Sequence, residues 1–301
     1  MSMKRLYSRL WTWVWLALWI GVLVGVWQWR WVRDQYVLRT YTPSVEIQNL
    51  LVGIDLTPAG RAALYRSQPE LDDKTSFQKH CPTESSGLEL GCYDAGRIYI
   101  LRIDNADLAV EMKAVLVHEM LHAVWADLSS RDRQAITSEV EAYYRQYGSS
   151  DKGLAERMVG YAETEPGESA NELHSILGSE RLDLPVGLEQ HYRRYMSNRV
   201  AVAEFHQLYA AVFQKRLALL EQELADIQSG KLALDVLNSR MASLRRSSKI
   251  AEYNALVPQQ NSMVVAINTR IEHYRQAVAE YNALSVALDA QAAPSPVIPV
   301  Q

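Results

Sequence analysis

Apolar residues recur at helical spacing over most of the chain, and short polar breaks divide it into elements. Residues 107–128 carry apolar side chains three or four positions apart, which predicts a helix of several turns. Glycine and serine breaks separate it from the next helical patterns. These further predicted helices cover residues 132–147, 166–177 and 186–213.

The region before residue 107 has weaker periodicity and predicts shorter elements. Residues 45–54 form an apolar segment that fits either a strand or a buried helix. Thr57 followed by Pro58 is typical of a helix start, and we expect a short helix through Tyr65. Arg97–Ile103 is rich in β-branched and aromatic residues between polar turn residues, so it is the strongest strand prediction.

From about Val200 the chain becomes rich in alanine, leucine, glutamate and glutamine, which predicts long helices. Two stripes of apolar residues, spaced three or four positions apart, are expected to pack together in a coiled coil. The stripes are Phe205, Leu208, Val212, Leu220, Leu224 and Ile227, and Val264, Ile267, Ile271, Tyr274, Val278, Tyr281 and Leu288. Gly230 and residues 258–261 are candidate breaks, so the pattern favours an antiparallel hairpin over a single rod.

The start of the chain has a different composition. Seven of the eight tryptophans lie between Trp11 and Trp31, and the 19 residues from Trp11 to Trp29 include no charged side chain. This length is close to the roughly 20 apolar residues of a transmembrane helix, and tryptophan at both ends is typical of membrane interfaces. No good cleavage site follows, so we predict an uncleaved signal anchor over residues 11–32.

Two observations bear on which side of the membrane the rest of the chain occupies. Basic residues lie on both sides of the predicted anchor and favour a cytoplasmic N-terminus only weakly. Cys81 and Cys92 enclose a short polar loop, and we predict that they form a disulfide, which would persist outside the cytoplasm. The net charge of -4 offers no basic footprint for a nucleic acid, so that class of partner is excluded.

The chemistry is predicted within the helix at 107–128, where His118 and His122 are four residues apart. On a helix both imidazoles project from one face, one turn apart, so they can share a metal ion. Glu119, next to the first histidine, is placed to accept a proton from a water molecule that zinc activates. This short motif therefore supplies two zinc ligands and a general base.

A catalytic zinc ion usually takes three protein ligands, so one more must come from elsewhere. The metzincin pattern is excluded because Trp125 and Leu128 stand where it needs glycine and histidine. The candidates are Glu168 and Glu172, which lie one turn apart in the predicted helix at residues 166–177. We favour Glu172, since Glu168 in the first turn has an ordinary role at the helix dipole, but both stay open.

His118-Glu119-x-x-His122 followed by Asn171-Glu172-x-x-Ser175 resembles the gluzincin branch of the zincin metallopeptidases. The resemblance covers about residues 99–177 and implies an α+β zincin-like domain, mostly helical with a small sheet. It also implies that the strand at 97–103 is the edge strand that aligns a peptide substrate by β-augmentation. Segments 91–103 and 171–178 are also similar to uncharacterised bacterial membrane-anchored proteins.

Two parts of the gluzincin site are not fixed by the resemblance. Ile176 occupies the position where thermolysin-like enzymes have an aspartate that orients a ligand histidine, so no partner for the histidines is assigned. A histidine or tyrosine polarises the substrate carbonyl in similar enzymes. The candidates for that role are His174, Tyr161, His191 and Tyr192, although a structural role fits each of them.

These patterns predict a single-pass membrane protein with a zinc-dependent peptidase outside the cytoplasm. The expected regions are a cytoplasmic N-terminus at 1–10, the anchor at 11–32, the catalytic domain at 33–195, the hairpin at 196–291 and a disordered tail at 292–301. Expected partners are a peptide or protein substrate, with those of the cell envelope among the candidates, and helices that associate with the coiled coil, including a second copy. The alternative is an envelope scaffold whose coiled coil recruits partners while its zinc site is structural or inactive.

Overall fold

The computed structural model describes residues 15, 19, 21–22, 25, 28–81, 90–164 and 166–288, and they are mostly helical with one small sheet. Within these residues no helix is both long and apolar enough to cross a membrane. Much of the predicted anchor at 11–32, the predicted cytoplasmic N-terminus at 1–10 and the predicted tail at 292–301 lie outside the described residues.

The elements follow one another in a mixed order. A helix over residues 28–40, α1, comes first. The others are α2 (Val45–Leu50), α3 (Pro58–Arg66), β1 (Glu70–Asp72), α4 (Lys74–His80), β2 (Gly91–Asp94), β3 (Arg97–Leu101), α5 (Glu111–Asp127), α6 (Ser130–Tyr147), a 3-10 turn (Gly148–Ser150), α7 (Lys152–Thr164), α8 (Ser169–Glu180), α9 (Val186–Tyr192), α10 (Arg199–Arg246) and α11 (Ile250–Leu288).

The chain forms two compact units. Unit 1 contains the described residues through Arg102 together with Met112–Glu204, and unit 2 contains Ile103–Glu111 and the chain from Phe205 onward. The predicted division at 195/196 thus lies close to the one observed at Glu204, but the grouping of residues 103–111 with the later helices was not expected from the sequence.

The sheet of unit 1 has three strands in the order β1-β3-β2, with β1 parallel and β2 antiparallel to β3. Strands β2 and β3 form a hairpin, and both turn residues, Ala95 and Gly96, have positive φ, as tight hairpins require. The predicted strand at 97–103 is confirmed as β3. Its expected position is wrong, because β3 is paired on both sides, and among the strands of the described residues β1 and β2 lie at the edges.

The disulfide is confirmed, since Cys81 is bonded to Cys92. Cys81 follows α4 directly and Cys92 lies in β2, so the bond joins this edge strand to a helix. The small cluster around it contains Phe77, Leu101 and Tyr99. The covalent link therefore fixes the strand against the core of unit 1.

Helix α5 lies at the centre of unit 1. Leu116, Val117, Met120, Leu121 and Val124 are all at most 1 % exposed and cover different sides of the helix. A helix buried on several sides is held by packing on each of them, which restricts rotation about its axis. The side chains of the metal motif are thereby kept in fixed directions.

Helix α8 packs closely against α5. Every residue from Glu172 to Glu180 is buried, and a Cβ atom added at Gly178 would lie 2.4 Å from Leu121 Cδ1 and 2.7 Å from Tyr192 Cε1. Only glycine permits this approach, because any larger residue would overlap with the neighbouring side chains. The close packing brings α8 beside the histidines of α5.

Other local predictions had mixed outcomes. The helix after Thr57 is confirmed, since Thr57 Oγ1 accepts a hydrogen bond from Gly60 N at 3.2 Å. The ambiguous segment at 45–54 begins with a helix, α2.

The single helix predicted at 186–213 is wrong, because the structure has two helices there. Helix α9 ends at Tyr192 and α10 begins at Arg199. In between, Met196 bridges to Leu56, and Ser197 N donates to Asp55 O at 2.8 Å.

Unit 2 contains two long helices that pack side by side in opposite directions. Leu220, Ile227 and Tyr274 form its buried core, and Arg216 is paired with Glu280 at 3.0 Å, whereas Gln260 is paired with Asn238 at 2.6 Å. The predicted stripes supply this seam, except that Leu208 and Val264 are 59 % and 38 % exposed.

The predicted breaks of the hairpin are wrong. Gly230 lies within α10, and Pro258 lies within α11. The turn falls at Ser247–Lys249, where Ser248 has φ of 59° and Lys249 N donates to Leu244 O at 3.0 Å. This is the left-handed end of a helix with its carbonyls satisfied, and a serine in that conformation gives a weaker sequence signal than glycine or proline.

Candidate metal centre

The two histidines of the motif project from one face of α5, as their spacing predicts. The ring centroids of His118 and His122 are 4.9 Å apart. Their Nε2 atoms lie 3.8 Å and 3.5 Å from the two carboxylate oxygens of Glu172 on α8. All three side chains are largely buried, and Glu172 is 4 % exposed.

These separations suit ligands around one ion better than hydrogen-bonded partners. A hydrogen bond between nitrogen and oxygen spans about 2.7–3.2 Å. Two ligand atoms bound to one tetrahedral zinc ion at about 2.0–2.1 Å would lie roughly 3.4 Å apart. The spacing of Glu172 from both imidazoles is therefore of the size that a shared zinc ion requires.

Glu119 also lies close to both histidines. One ligand atom from each of His118, Glu119 and His122 lies within 4.8 Å of the others, so these three alone could hold an ion. The carboxylate of Glu172 is a second candidate for the third ligand, because it meets the Nε2 atoms of both histidines. Glu119 follows His118 directly and lies about 100° around the helix from it.

Gly91 of the edge strand makes room for Glu119. A Cβ atom at Gly91 would lie 2.9 Å from Glu119 Oε1 and 2.5 Å from Val115 Cγ1. Strand β2 therefore borders the carboxylate that the motif assigns as base. Because β2 is at the edge of the sheet, the backbone beside Glu119 belongs to the strand that can pair with an extended peptide.

The electrostatics of the centre favour a cation. Burial opposes the charged form of His118, but the carboxylates of Glu172, Glu119 and Glu180 outweigh it and raise the pKa of His118. Burial would raise the pKa of Glu172, yet the two histidines and Arg157 lower it, so the carboxylate is ionised. Burial lowers the pKa of His122, which keeps this imidazole neutral. A metal ion would take the place of the proton on His118.

The outer nitrogens of both imidazoles have partners. His122 Nδ1 lies 3.0 Å from Asn171 Oδ1, so it donates to the amide oxygen and leaves Nε2 as a lone-pair donor. Ser179 Oγ donates to Ser175 O at 2.7 Å and lies 3.5 Å from His118 Nδ1, which is a weaker contact. These contacts supply the orientation that an aspartate at position 176 would give in thermolysin-like enzymes.

The sequence carried a signal for each partner. Asn171 immediately precedes Glu172, and Ser179 follows it by two helical turns, which places Ser179 on the same face of α8. Neither could be assigned before the approach of α8 to α5 was known.

The remaining candidates divide into two groups. Burial and the charge of Glu172 raise the pKa of Tyr161, while the guanidinium of Arg157 hydrogen-bonds it and opposes the shift. Arg157 is in turn held by Glu180 through two bonds of 2.6 Å and 2.8 Å. Tyr161 therefore carries a neutral hydroxyl near Glu172.

His174, His191 and Tyr192 form a buried group with internal contacts. His174 Nε2 lies 2.9 Å from His191 Nε2, and the Tyr192 hydroxyl donates to His174 O at 2.7 Å. His174 is fully buried and its ring lies 5.3 Å from that of Trp125. These contacts give the three residues a structural role and leave Tyr161 as the candidate for polarising a carbonyl.

Glu168, the alternative ligand, is exposed and caps nothing with its side chain. Its Oε2 accepts a hydrogen bond from Asn171 Nδ2 at 3.1 Å, so it contacts the residue that supports His122. The geometry thus gives Glu168 an outer position and Glu172 the inner one.

Comparison with known proteins gives no further assignment, since no family model, curated protein or solved structure matches the chain.

Proposed function

We propose that this protein is a zinc-dependent peptidase whose metal is held by His118, His122 and Glu172. The observation that carries the proposal is the convergence of two imidazole Nε2 atoms on one buried carboxylate, at 3.8 Å and 3.5 Å. The donor set of two histidines and one glutamate is that of catalytic zinc sites with an open position. When bound there, zinc would activate a water molecule and polarise a carbonyl group.

The residues of the chain supply the other parts of a peptide hydrolysis. Glu119 accepts a proton from the attacking water and delivers it to the leaving amine, as a general base and then a general acid. The hydroxyl of Tyr161 donates to the oxyanion that forms on the scissile carbonyl. Strand β2 aligns an extended substrate by backbone hydrogen bonds beside Glu119, in the role that the resemblance implied for β3.

Replacing Glu119 with glutamine tests the proposal, because the amide keeps the shape of the side chain but cannot accept the proton. We expect Glu119→Gln to retain about one zinc ion per chain and to lose cleavage of a mixed-sequence peptide library by at least about 100-fold. Glu168→Gln, the same chemical change at an exposed position, should keep both properties. Undiminished cleavage by Glu119→Gln would reject the assigned base.

A second role, as an envelope scaffold, is favoured by apolar residues on the outside of the hairpin. Leu232, Val236 and Val265 are 69 %, 72 % and 64 % exposed, and such side chains on a long helix suit a partner helix. If the hairpin recruits a partner helix, a double variant with Leu232→Asp and Val236→Asp should no longer bind it. Glu119→Gln should bind it as the wild type does. Loss of the cellular function with Glu119→Gln alone would exclude a purely structural metal.

A further inference from the structure

The helix that carries the metal motif is tied at its end to the beginning of the described chain. Asp127, the last residue of α5, accepts two hydrogen bonds from the guanidinium of Arg33, at 2.9 Å and 3.3 Å. Arg66 of α3 bonds Asp127 as well and also pairs with Asp34 at 2.5 Å. Helix α1 is therefore joined to α5 by a network of four charges, which holds better than one exposed pair.

This network of ion pairs extends to the end of the uncharged run at residues 11–29. Arg30 is the first charged residue after the run that ends at Trp29, and its Nη2 atom lies 3.9 Å from Asp127 Oδ1. Residues 28–40 are continuously helical. Hence no flexible linker lies between Arg30 and the ion pairs that hold α1 to unit 1.

The geometry of an α-helix sets an upper limit on the distance between the two histidines and the end of the uncharged run. At 1.5 Å per residue, His122 and His118 lie about 8 Å and 14 Å along α5 from Asp127. The side chains of Arg30 and Asp127 together span up to about 15 Å and a histidine side chain adds about 5 Å, so both imidazoles lie within roughly 40 Å of the end of the uncharged run. This is an upper limit whatever the direction in which the helices point.

The outer face of α1 has the composition of a membrane interface. Trp29, Val32 and Tyr36 are 64 %, 47 % and 69 % exposed. Their spacing of three and four residues places them on one stripe, and Arg33, four residues after Trp29, borders this stripe while its guanidinium reaches Asp127. Aromatic side chains at the end of an apolar run are typical of the headgroup region of a bilayer.

The edge strand lies near the same junction. Burial raises the pKa of Tyr93 in β2, and the charge of Asp127 adds to the shift while Arg66 opposes it. The strand proposed to align the substrate is thus close to the carboxylate that holds α1.

We propose that the substrates are segments of other membrane-anchored chains whose scissile bond lies within about 40 Å of the bilayer surface, roughly twelve extended residues from a membrane span. The inference rests on the proposed peptidase function and on residues 11–29 lying in the membrane. A substrate anchored in the same bilayer presents its scissile bond at a high effective concentration, which a soluble peptide lacks. The fixed attachment of α1 keeps more distant segments out of reach.

A reporter series in liposomes tests the depth limit with the full-length chain. Each reporter has one membrane span, a rigid helical spacer and the same cleavable segment. We expect cleavage to be at least about tenfold faster when the segment directly follows the span than when about 40 helical residues, roughly 60 Å, separate them. Equal rates for the two reporters would overturn the inference while leaving the peptidase function intact.

An insertion variant and an inactive variant complete the series. About 20 flexible Gly/Ser residues inserted between Trp29 and Arg30 should restore cleavage of the distant reporter, because they lengthen the tether by tens of ångströms. Glu119→Gln should cleave neither reporter. Absence of cleavage of every reporter and of the soluble peptide by the wild-type chain would reject the proposed function itself, and the substrate class with it.

Discussion

The Nδ1 atom of His122 lies 3.0 Å from the Oδ1 atom of Asn171, on the side of the ring away from the metal centre. This contact sets the tautomer of the imidazole, because the proton on Nδ1 leaves Nε2 free to bind a metal ion. Asn171 precedes Glu172 in α8, so the same turn of helix supplies one ligand and orients another.

Removal of the Asn171 amide should weaken the metal centre without dismantling it. We expect Asn171→Ala to lower the affinity for zinc by about 10- to 100-fold, the usual effect of losing a partner of a ligand histidine. Competition against a chromophoric chelator measures this affinity. Asn238→Ala, which removes an amide that bonds Gln260 in the hairpin, is the control and should bind zinc as the wild type does. Equal affinity in both variants would show that Asn171 does not support the site.

A methyl group at Gly91 should impair catalysis more than metal binding. The added Cβ atom would lie 2.9 Å from Glu119 Oε1 and 2.5 Å from Val115 Cγ1, so both side chains must move from their positions. We expect Gly91→Ala to reduce turnover by about tenfold or more, since small displacements of a catalytic group are costly. The zinc content should stay near one per chain.

The matched control is Gly153→Ala in α7, where the nearest neighbour of the added atom is Asp151 Oδ1 at 3.7 Å. This is an ordinary contact, so turnover should not change. Wild-type turnover in Gly91→Ala would mean that Glu119 tolerates displacement and is not the base.

The success of sequence interpretation depended on how local each feature was. The helix with His118 and His122 and the strand β3 follow from short-range spacing, so both could be predicted. The edge position of β2 could not, because strand order depends on pairing between segments that are distant in sequence. The partners of the two histidines depend on the approach of α8 to α5 at Gly178, which is likewise a product of long-range packing.

Acid should destabilise the fold through the buried pair of His174 and His191. Burial, together with the charge of Arg194, lowers the pKa of His191 to about 4, whereas the ordinary value in an unfolded chain is about 6.5. Between these two values the unfolded chain binds a proton that the folded chain does not. The contribution to stability is therefore complete above pH 6.5 and is lost as the pH falls towards 4, by about 3 kcal/mol.

Urea unfolding at several pH values in the presence of a metal chelator measures this loss. His191→Gln should flatten the decline of the unfolding free energy between pH 6.5 and 4. His273→Gln, at an exposed position in α11, should retain the wild-type decline. A slope that is the same in both variants would mean that His191 is protonated in the folded chain.

The central claim is that two histidines of α5 and Glu172 of α8 hold one zinc ion. Calorimetric titration of zinc into the chelator-treated full-length chain tests it most directly, with Glu172→Gln and Glu168→Gln measured beside the wild type. We predict one saturable site per chain in the wild type and in Glu168→Gln, and a loss of affinity of at least about 100-fold in Glu172→Gln. Absence of a saturable site in the wild type, or equal binding by Glu172→Gln, would contradict the account.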